Sequence, residues 1–301
     1  MRSLILGATG QIGSQLVREC EARNHVVAGT WYRRPHAEFS PLDLRDDEAV
    51  ADLVAEFQPD VVYLAAGLTQ VDYAEVNPAE CDEVNAQGAA TVARAAAAAG
   101  AVLVYVSSAQ VFGECPTARK EDAAPAPVNA YGRAAAAAET AVRAALPGDH
   151  VILRTGHVYG PEERGRNVAL HAVRRFADGD GIEAAIDRQC QPTYGPDLAS
   201  AAADLVKHGC RGTFHAVGPD RMSEYAFAQL VAFTHGFDSD LVTAVKADRL
   251  CEDAPRAKTL WLDRFKLRSQ LGPRAFRGAA DGLRHLRDTA DVPAPAHVRA
   301  A

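Results

Sequence analysis

The chain lacks an excess of positive charge, a paired-cysteine motif, a long apolar run and an internal repeat, and each absence removes a class of function. Its 301 residues carry 32 Lys and Arg against 39 Asp and Glu, a formal net charge of −7. The basic residues are dispersed, so nucleic-acid binding has no electrostatic footprint. Six cysteines (Cys20, Cys81, Cys115, Cys190, Cys210, Cys251) occur without a CxxC pair. That spacing argues against a zinc site or a disulfide framework and for reduced, packed thiols; no metal is expected. No apolar run approaches the roughly 20 residues needed to span a bilayer, so no membrane partner is expected. Met1 leads straight into LILGA with no charged leader or cleavage site, so the expectation is no signal peptide and a cytoplasmic protein. The alanine runs at 95–99 and 134–138 fall inside helix candidates.

What is present is an alternation. Short apolar runs, LILGA (4–8), VVAGTW (26–31), VVYLAA (61–66), VLVYVSS (102–108) and VILRTG (151–156), are separated by helix-length segments such as DDEAVADLVAEF (46–57) and AQGAATVARAAAAAG (86–100). Continuous apolar strands between helices predict an α/β fold with a doubly wound parallel sheet of the Rossmann kind. Its ligand should sit beyond the carboxyl ends of the strands. The rhythm changes after Gly160. Residues 1–160 are therefore read as a nucleotide-binding domain and 161–290 as a smaller C-terminal substrate lobe, with segments near 188–218 returning to the main sheet. In that lobe the loop PEERGRN precedes a helix near 168–178, and a strand at 212–218 precedes a helix at 223–235. The Ala- and Pro-rich end of the chain, including 291–301, reads as a frayed tail.

GATGQIG, Gly7 to Gly13, is a G-x-x-G-x-x-G loop between the first strand and the first helix. Glycines there let a pyrophosphate approach the backbone, and the helix N-terminus supplies free N–H groups; a plain turn is the alternative. Where an NAD binder carries an acid after its second strand, this chain has GTWYRRP. Arg33 and Arg34 predict NADP over NAD, because a guanidinium pairs with a 2′-phosphate. A solvated turn remains the other reading. Asp43 is placed either to meet the adenine edge or to cap the following helix.

VSSAQVFG (106–113) ends the fourth strand, and Tyr131 follows 23 residues after Ser108 in NAYGRA. With GxxGxxG, LAAG (64–67) and LRTGHVYG (153–160) in the same order, the chain resembles the extended short-chain dehydrogenase/reductase family. TQVDYAE (69–75), RQCQPTYGPDLA (188–199) and APRAKTLWLD (254–263) make it most similar to the dTDP-4-dehydrorhamnose reductase branch, which also includes the methionine adenosyltransferase β regulatory subunit. The resemblance implies hydride chemistry at a carbonyl, with Tyr131 as proton donor and Ser108 bonding the carbonyl oxygen. It implies a cofactor, NADP, along Gly7, Thr9, Gly10, Gln11, Ile12, Gly13, Arg33, Arg34, Asp43, Leu44, Ala65, Ala66, Gly67, Ser107, Tyr131, Thr155 and His157. It implies a nucleotide-sugar substrate near Gln70, Asp72, Gln110, Val111, Gln191 and Arg256, and it allows a homodimer.

Two positions depart from the family. Members carry lysine four residues after the tyrosine, which binds the nicotinamide ribose and lowers the tyrosine pKa; this chain has Ala135. Ala109 stands where an aspartate is common. Arg133 points to another side of the helix and Lys120 lies in a loop read as solvated. Asn85 is expected to bond main chain near the strand ends or to be an ordinary helix residue. Tyr159 and His157 are each expected to pack more readily than to react. Arg256 and Lys258 suit either a diphosphate or a solvated loop. Three functions stay open: an NADPH-dependent reductase of a nucleotide-linked 4-keto-6-deoxy sugar impaired at position 135, whether by engineering or decay; a regulatory NADP-binding protein; and a sugar-nucleotide epimerase or dehydratase, which Arg33 and Arg34 oppose.

Overall fold

Seven strands pair in parallel: β1 (Arg2–Leu6), β2 (Val26–Trp31), β3 (Ser40–Pro41), β4 (Val61–Leu64), β5 (Val102–Ser108), β6 (His150–Thr155) and β7 (Gly212–His215). Their order across the sheet is β7-β6-β5-β4-β1-β2-β3, so the winding direction reverses between β1 and β4. That reversal opens a crevice at the carboxyl ends, where doubly wound sheets bind ligands. The coordinates are a computed structural model that describes residues 1–163, 165 and 167–290. Arg164 and Arg166 of the PEERGRN loop and the 291–301 tail lie outside the described residues.

Strand alternation builds two cores. On one face Leu4, Leu6, Val62, Leu64, Leu103 and Ile152 pack against α2 (Asp47–Phe57), α4 (Gly88–Ala98) and α5 (Ala130–Ala145), the short α3 (Val71–Val76) lying between α2 and α4 in the chain. On the other, Ile5, Val61, Val104, Val151 and Phe214 meet α1 (Gln11–Ala22) and α7 (Gly195–Lys207). Period-two alternation sends successive residues of one strand to opposite faces. The first strand ends at Leu6, two residues before the apolar run does, because Gly7 turns with φ +86°. Pro41 sits in the outermost strand, where a missing N–H leaves no ladder bond broken.

A third core belongs to the lobe. Tyr159, Phe176, Tyr194, Phe227, Val231 and Leu283 are buried together between α6 (Val168–Ala177), α8 (Glu224–His235) and α9 (Ala279–Thr289). Residues 182–185 pair with 242–245 beside it. β7 returns to the main sheet, pairing with β6 from Gly212↔Val151 to His215↔Arg154. Cys115–Arg119 pairs with Leu260–Leu262, which draws the late loop 251–259 down over the ends of the central strands. All six cysteines are free thiols, and four of them are buried. Among the described residues, no helix is long and apolar enough to cross a membrane.

Candidate active site

The glycine loop follows directly from sterics. A Cβ on Gly13 would lie 2.0 Å from the Gly7 carbonyl oxygen, and one on Gly7 would lie 2.8 Å from the Ala66 backbone. The Gly7 N–H donates to Thr30 Oγ1 at 3.0 Å and the Ala8 N–H to Thr30 O at 2.8 Å, so the loop is pinned to β2. Gly10 caps α1 without any side-chain bond. The first-turn N–H groups thus face the crevice in the way a pyrophosphate requires. Thr9 and Ile12 are half-buried in this loop. Gln11 Nε2 donates to Val158 O at 2.9 Å, so its amide braces the β6 loop. Ala65 and Ala66 form the opposite wall, where the Ala65 N–H donates to Leu6 O at 3.0 Å. Asn85 accepts the Leu68 N–H (2.7 Å) and donates to Leu68 O (2.8 Å), which fixes the loop carrying Gly67.

At the far end of β2, Tyr32 is flanked by the guanidinium groups of Arg33 and Arg45, 5.7 and 5.9 Å from its ring centre. Arg33 is largely exposed, with Glu80 3.7 Å away. Arg34 is half-buried. Asp43 is not the helix cap: Asp46 caps α2, accepting the Ala49 N–H, and Asp43 is held by Arg45 through both carboxylate oxygens. The bonded Arg45 guanidinium holds the Asp43 carboxyl below its usual range. Leu44 is buried against α4 and presents no polar group.

The chemistry-bearing residues meet at the end of β5. Tyr131, the second residue of α5, lies beside Ser108; burial raises the phenol pKa most, the Ser108 hydroxyl lowers it and Cys81 raises it. No cation figures among these influences. Ser108 Oγ also accepts the Gln110 N–H at 3.1 Å. One turn along α5, Ala135 is only 3% exposed and packs with Ala109, Val111, Phe112, Val217 and Leu262. A further turn along, Glu139 sits fully buried between Ser107, whose hydroxyl donates to it at 2.7 Å, and Arg154, which donates at 2.8 and 2.7 Å. Ser107 therefore gives its hydroxyl to the protein. Thr155 Oγ1 is buried with no hydrogen-bond partner at the end of β6. The glycine cradle, the uncapped helix and this orphan hydroxyl all fit a dinucleotide.

Asn129 organises the start of α5. Its Oδ1 accepts the Gly132 N–H (2.8 Å) while its Nδ2 donates to Gln110 Oε1 (2.9 Å) and Pro255 O (3.0 Å). Sequence reading missed it, although Asn immediately before a helix is a strong cap signal. Asn129→Ala should lower unfolding free energy by about 1–2 kcal/mol in urea titrations, and Asn129→Ser, which keeps a cap, should lose less.

Several residues read as substrate contacts are engaged elsewhere. Asp72 and Arg256 bind each other through two bonds of 2.8 Å, and Asp72 also accepts the Asp253 and Ala254 N–H groups. With Arg256 as the main cause, the Asp72 carboxyl falls to about 2. Gln191 is buried and paired with the Leu262 main chain, since the polar ends of a buried amide need partners. Val111 is fully buried, while Gln70 is exposed. His157 adopts φ +47°, which tilts it away from β6 so that its Nε2 lies 3.6 Å from Glu224 Oε1. There it lines a cavity of about 570 Å³ together with His171, Arg175, Arg188 and Glu224. Arg188 is nearly buried and bonds Glu224 and both oxygens of Glu252. This cavity, lined by residues from His157 onward, carried no sequence signal beyond His157 and RQCQPTYG.

Known proteins resemble this chain in sequence and fold. The chain is 35% identical to the dTDP-4-dehydrorhamnose reductase of Mycolicibacterium smegmatis over 291 residues, 95% of this chain and 82% of that protein. It is 32% identical to the methionine adenosyltransferase 2 subunit beta of Rattus norvegicus over 274 residues, 88% of this chain and 81% of that one. The crystal structure of a Bacillus anthracis dTDP-4-dehydrorhamnose reductase in complex with NADP superposes with a TM-score of 0.86 at 29% identity, covering 95% of this chain and 98% of that chain. The fold is thus that of a nicotinamide-cofactor-binding oxidoreductase. A family model described as the RmlD substrate binding domain matches residues 1–284, and the chain belongs to that family of extended short-chain dehydrogenases/reductases.

Proposed function

We propose that the chain is an NADPH-dependent reductase of a nucleotide-linked 4-keto-6-deoxy sugar, slowed by alanine at position 135. The observation that carries this reading is the proximity of Tyr131 and Ser108 at the end of β5, with only β4 between it and the strand that carries the glycine cradle. With the pyrophosphate of the cofactor along Gly7–Gly13, its dihydronicotinamide would supply hydride beside Tyr131. The Tyr131 hydroxyl donates the proton to the carbonyl oxygen, and Ser108 holds that oxygen in place. Arg33 and Arg34 favour the 2′-phosphate of NADP. The substrate nucleotide occupies the cavity beside His171, Arg175 and Arg188, where the Arg175 guanidinium suits its diphosphate.

A slow enzyme calls for a single-turnover test. With protein in excess, NADPH deuterated at nicotinamide C4 and a dTDP-4-keto-6-deoxy sugar, deuterium should appear on the sugar by mass spectrometry. Its absence from both this chain and Ala135→Lys, while NADPH binds, contradicts the reductase. That outcome favours a regulatory NADP-binding protein, a reading supported by the likeness to the methionine adenosyltransferase subunit and by the apolar packing of Ala135.

A further inference from the structure

A larger cavity, about 890 Å³, lies away from the glycine loop at the β7 edge of the sheet, between the loop 120–122, the turn after β7 and the short helix Phe265–Leu271. Five cations line it, Lys120, Arg221, Arg264, Lys266 and Arg268, against three acids. Two of those acids are already engaged: Glu121 accepts the His215 N–H at 3.2 Å and Asp263 the Phe265 N–H at 2.7 Å. Leu262, which packs with Ala135, and the bond from Arg154 to Glu121 O separate the cavity from Tyr131.

Arg264 is the unusual member. Its Nε and Nη2 atoms are buried with no hydrogen-bond partner. Burial and then the neighbouring Arg268 push its pKa down, and only Asp220 opposes them. Asp220 itself accepts the Ala279 N–H at 2.6 Å. Arg264 as a whole is half-buried, its guanidinium 5.7 Å from the Phe276 ring centre; buried N–H groups without an acceptor are costly, and the planar fork matches the oxygens of a phosphate. Arg221 lies over the Trp261 ring at 5.1 Å, and Lys266 donates one bond to Thr213 O at 2.8 Å. We propose that this cavity binds a phosphate-bearing small molecule, with the phosphate on Arg264 and Arg268 and with Arg221 and Lys266 flanking it. The volume is that of an ordinary small-ligand site.

Trp261 supplies a local reporter. The chain holds two tryptophans, so Trp31→Phe leaves Trp261 alone. Sodium pyrophosphate titrated at constant ionic strength should change Trp261 emission saturably, and saturating NADP should leave the curve in place. Arg264→Gln and the exposed Arg268→Gln should each weaken binding about tenfold or more. Circular dichroism melts check that each variant is folded, and calorimetry on the unaltered chain repeats the titration without the Trp31 change. The proposal is overturned by no saturable response, by an equal response to sodium chloride, by loss of the response under NADP, or by undiminished affinity in both variants.

Discussion

Ala135→Lys should accelerate NADPH-dependent reduction of the keto sugar by about 10² to 10⁴, the usual effect of positioned acid–base assistance. Burial is the largest influence on Tyr131 and makes its phenol a weaker acid, and no cation offsets it. A lysine one turn along the helix would bring positive charge to the same face and lower the phenol pKa. The rate should therefore rise at neutral pH. Its alkaline limb, where the phenol has lost the proton it must donate, should move to lower pH. Ala135 is enclosed by Ala109, Val111 and Phe112, so a longer side chain could also act merely by filling space or disturbing packing. Ala135→Met, with similar bulk and no charge, separates the two effects: it should gain nothing. Equal rates in the lysine and methionine variants would show that charge at 135 is not what the site lacks.

Arg154→Ala should cost about 3–5 kcal/mol of unfolding free energy, the largest stability loss expected of a single change here. Arg154 and Glu139 are 1% and 0% exposed, and their carboxylate–guanidinium pair is joined by Ser107 and by Arg143 at 2.7 Å. Burial pushes the Glu139 carboxyl up, but Arg154, Ser107 and Arg143 outweigh it and hold the group below its usual range. Removing Arg154 leaves the buried Glu139 carboxylate in the core with the partly exposed Arg143 as its one charged partner. Replacing both partners together, Glu139→Leu with Arg154→Met, should be less damaging than Arg154→Ala alone, because no buried charge is stranded. Urea denaturation measures both. A loss below about 1 kcal/mol for Arg154→Ala would place the pair among ordinary surface bridges.

The sheet was legible because buried parallel strands are written as unbroken apolar runs: VVAGTW and VLVYVSS coincide with β2 and β5 residue for residue. The glycine loop was legible because only glycine tolerates the approach of Gly13 to the Gly7 carbonyl. Residues whose partners are distant in sequence were not. Arg154 is a lone cation in an apolar strand and Glu139 a lone acid in an alanine helix; nothing local announces that a fold 15 residues deep joins them. Asp72 and Arg256, 184 residues apart, were both read as facing substrate, yet each meets the other first. The partner of Gln191 was illegible for the same reason, since its amide bonds the main chain of Leu262, 71 residues on. The Asp43 cap reading failed because Asp46 takes that place, while Asp43 bonds a near neighbour, Arg45, whose place beside Tyr32 depends on how the chain turns after β2.

If the glycine loop and the arginines after β2 hold a 2′-phosphorylated dinucleotide, the dissociation constants of NADPH and NADH for the unaltered chain will show it, by calorimetry at low salt. NADPH should bind about tenfold or more tightly, the effect of one charge-assisted hydrogen bond, and Arg33→Ala with Arg34→Ala should erase that difference while leaving NADH affinity unchanged. Equal affinities in the unaltered chain, tighter binding of NADH, or no binding of either would contradict an NADPH-dependent reductase at this site.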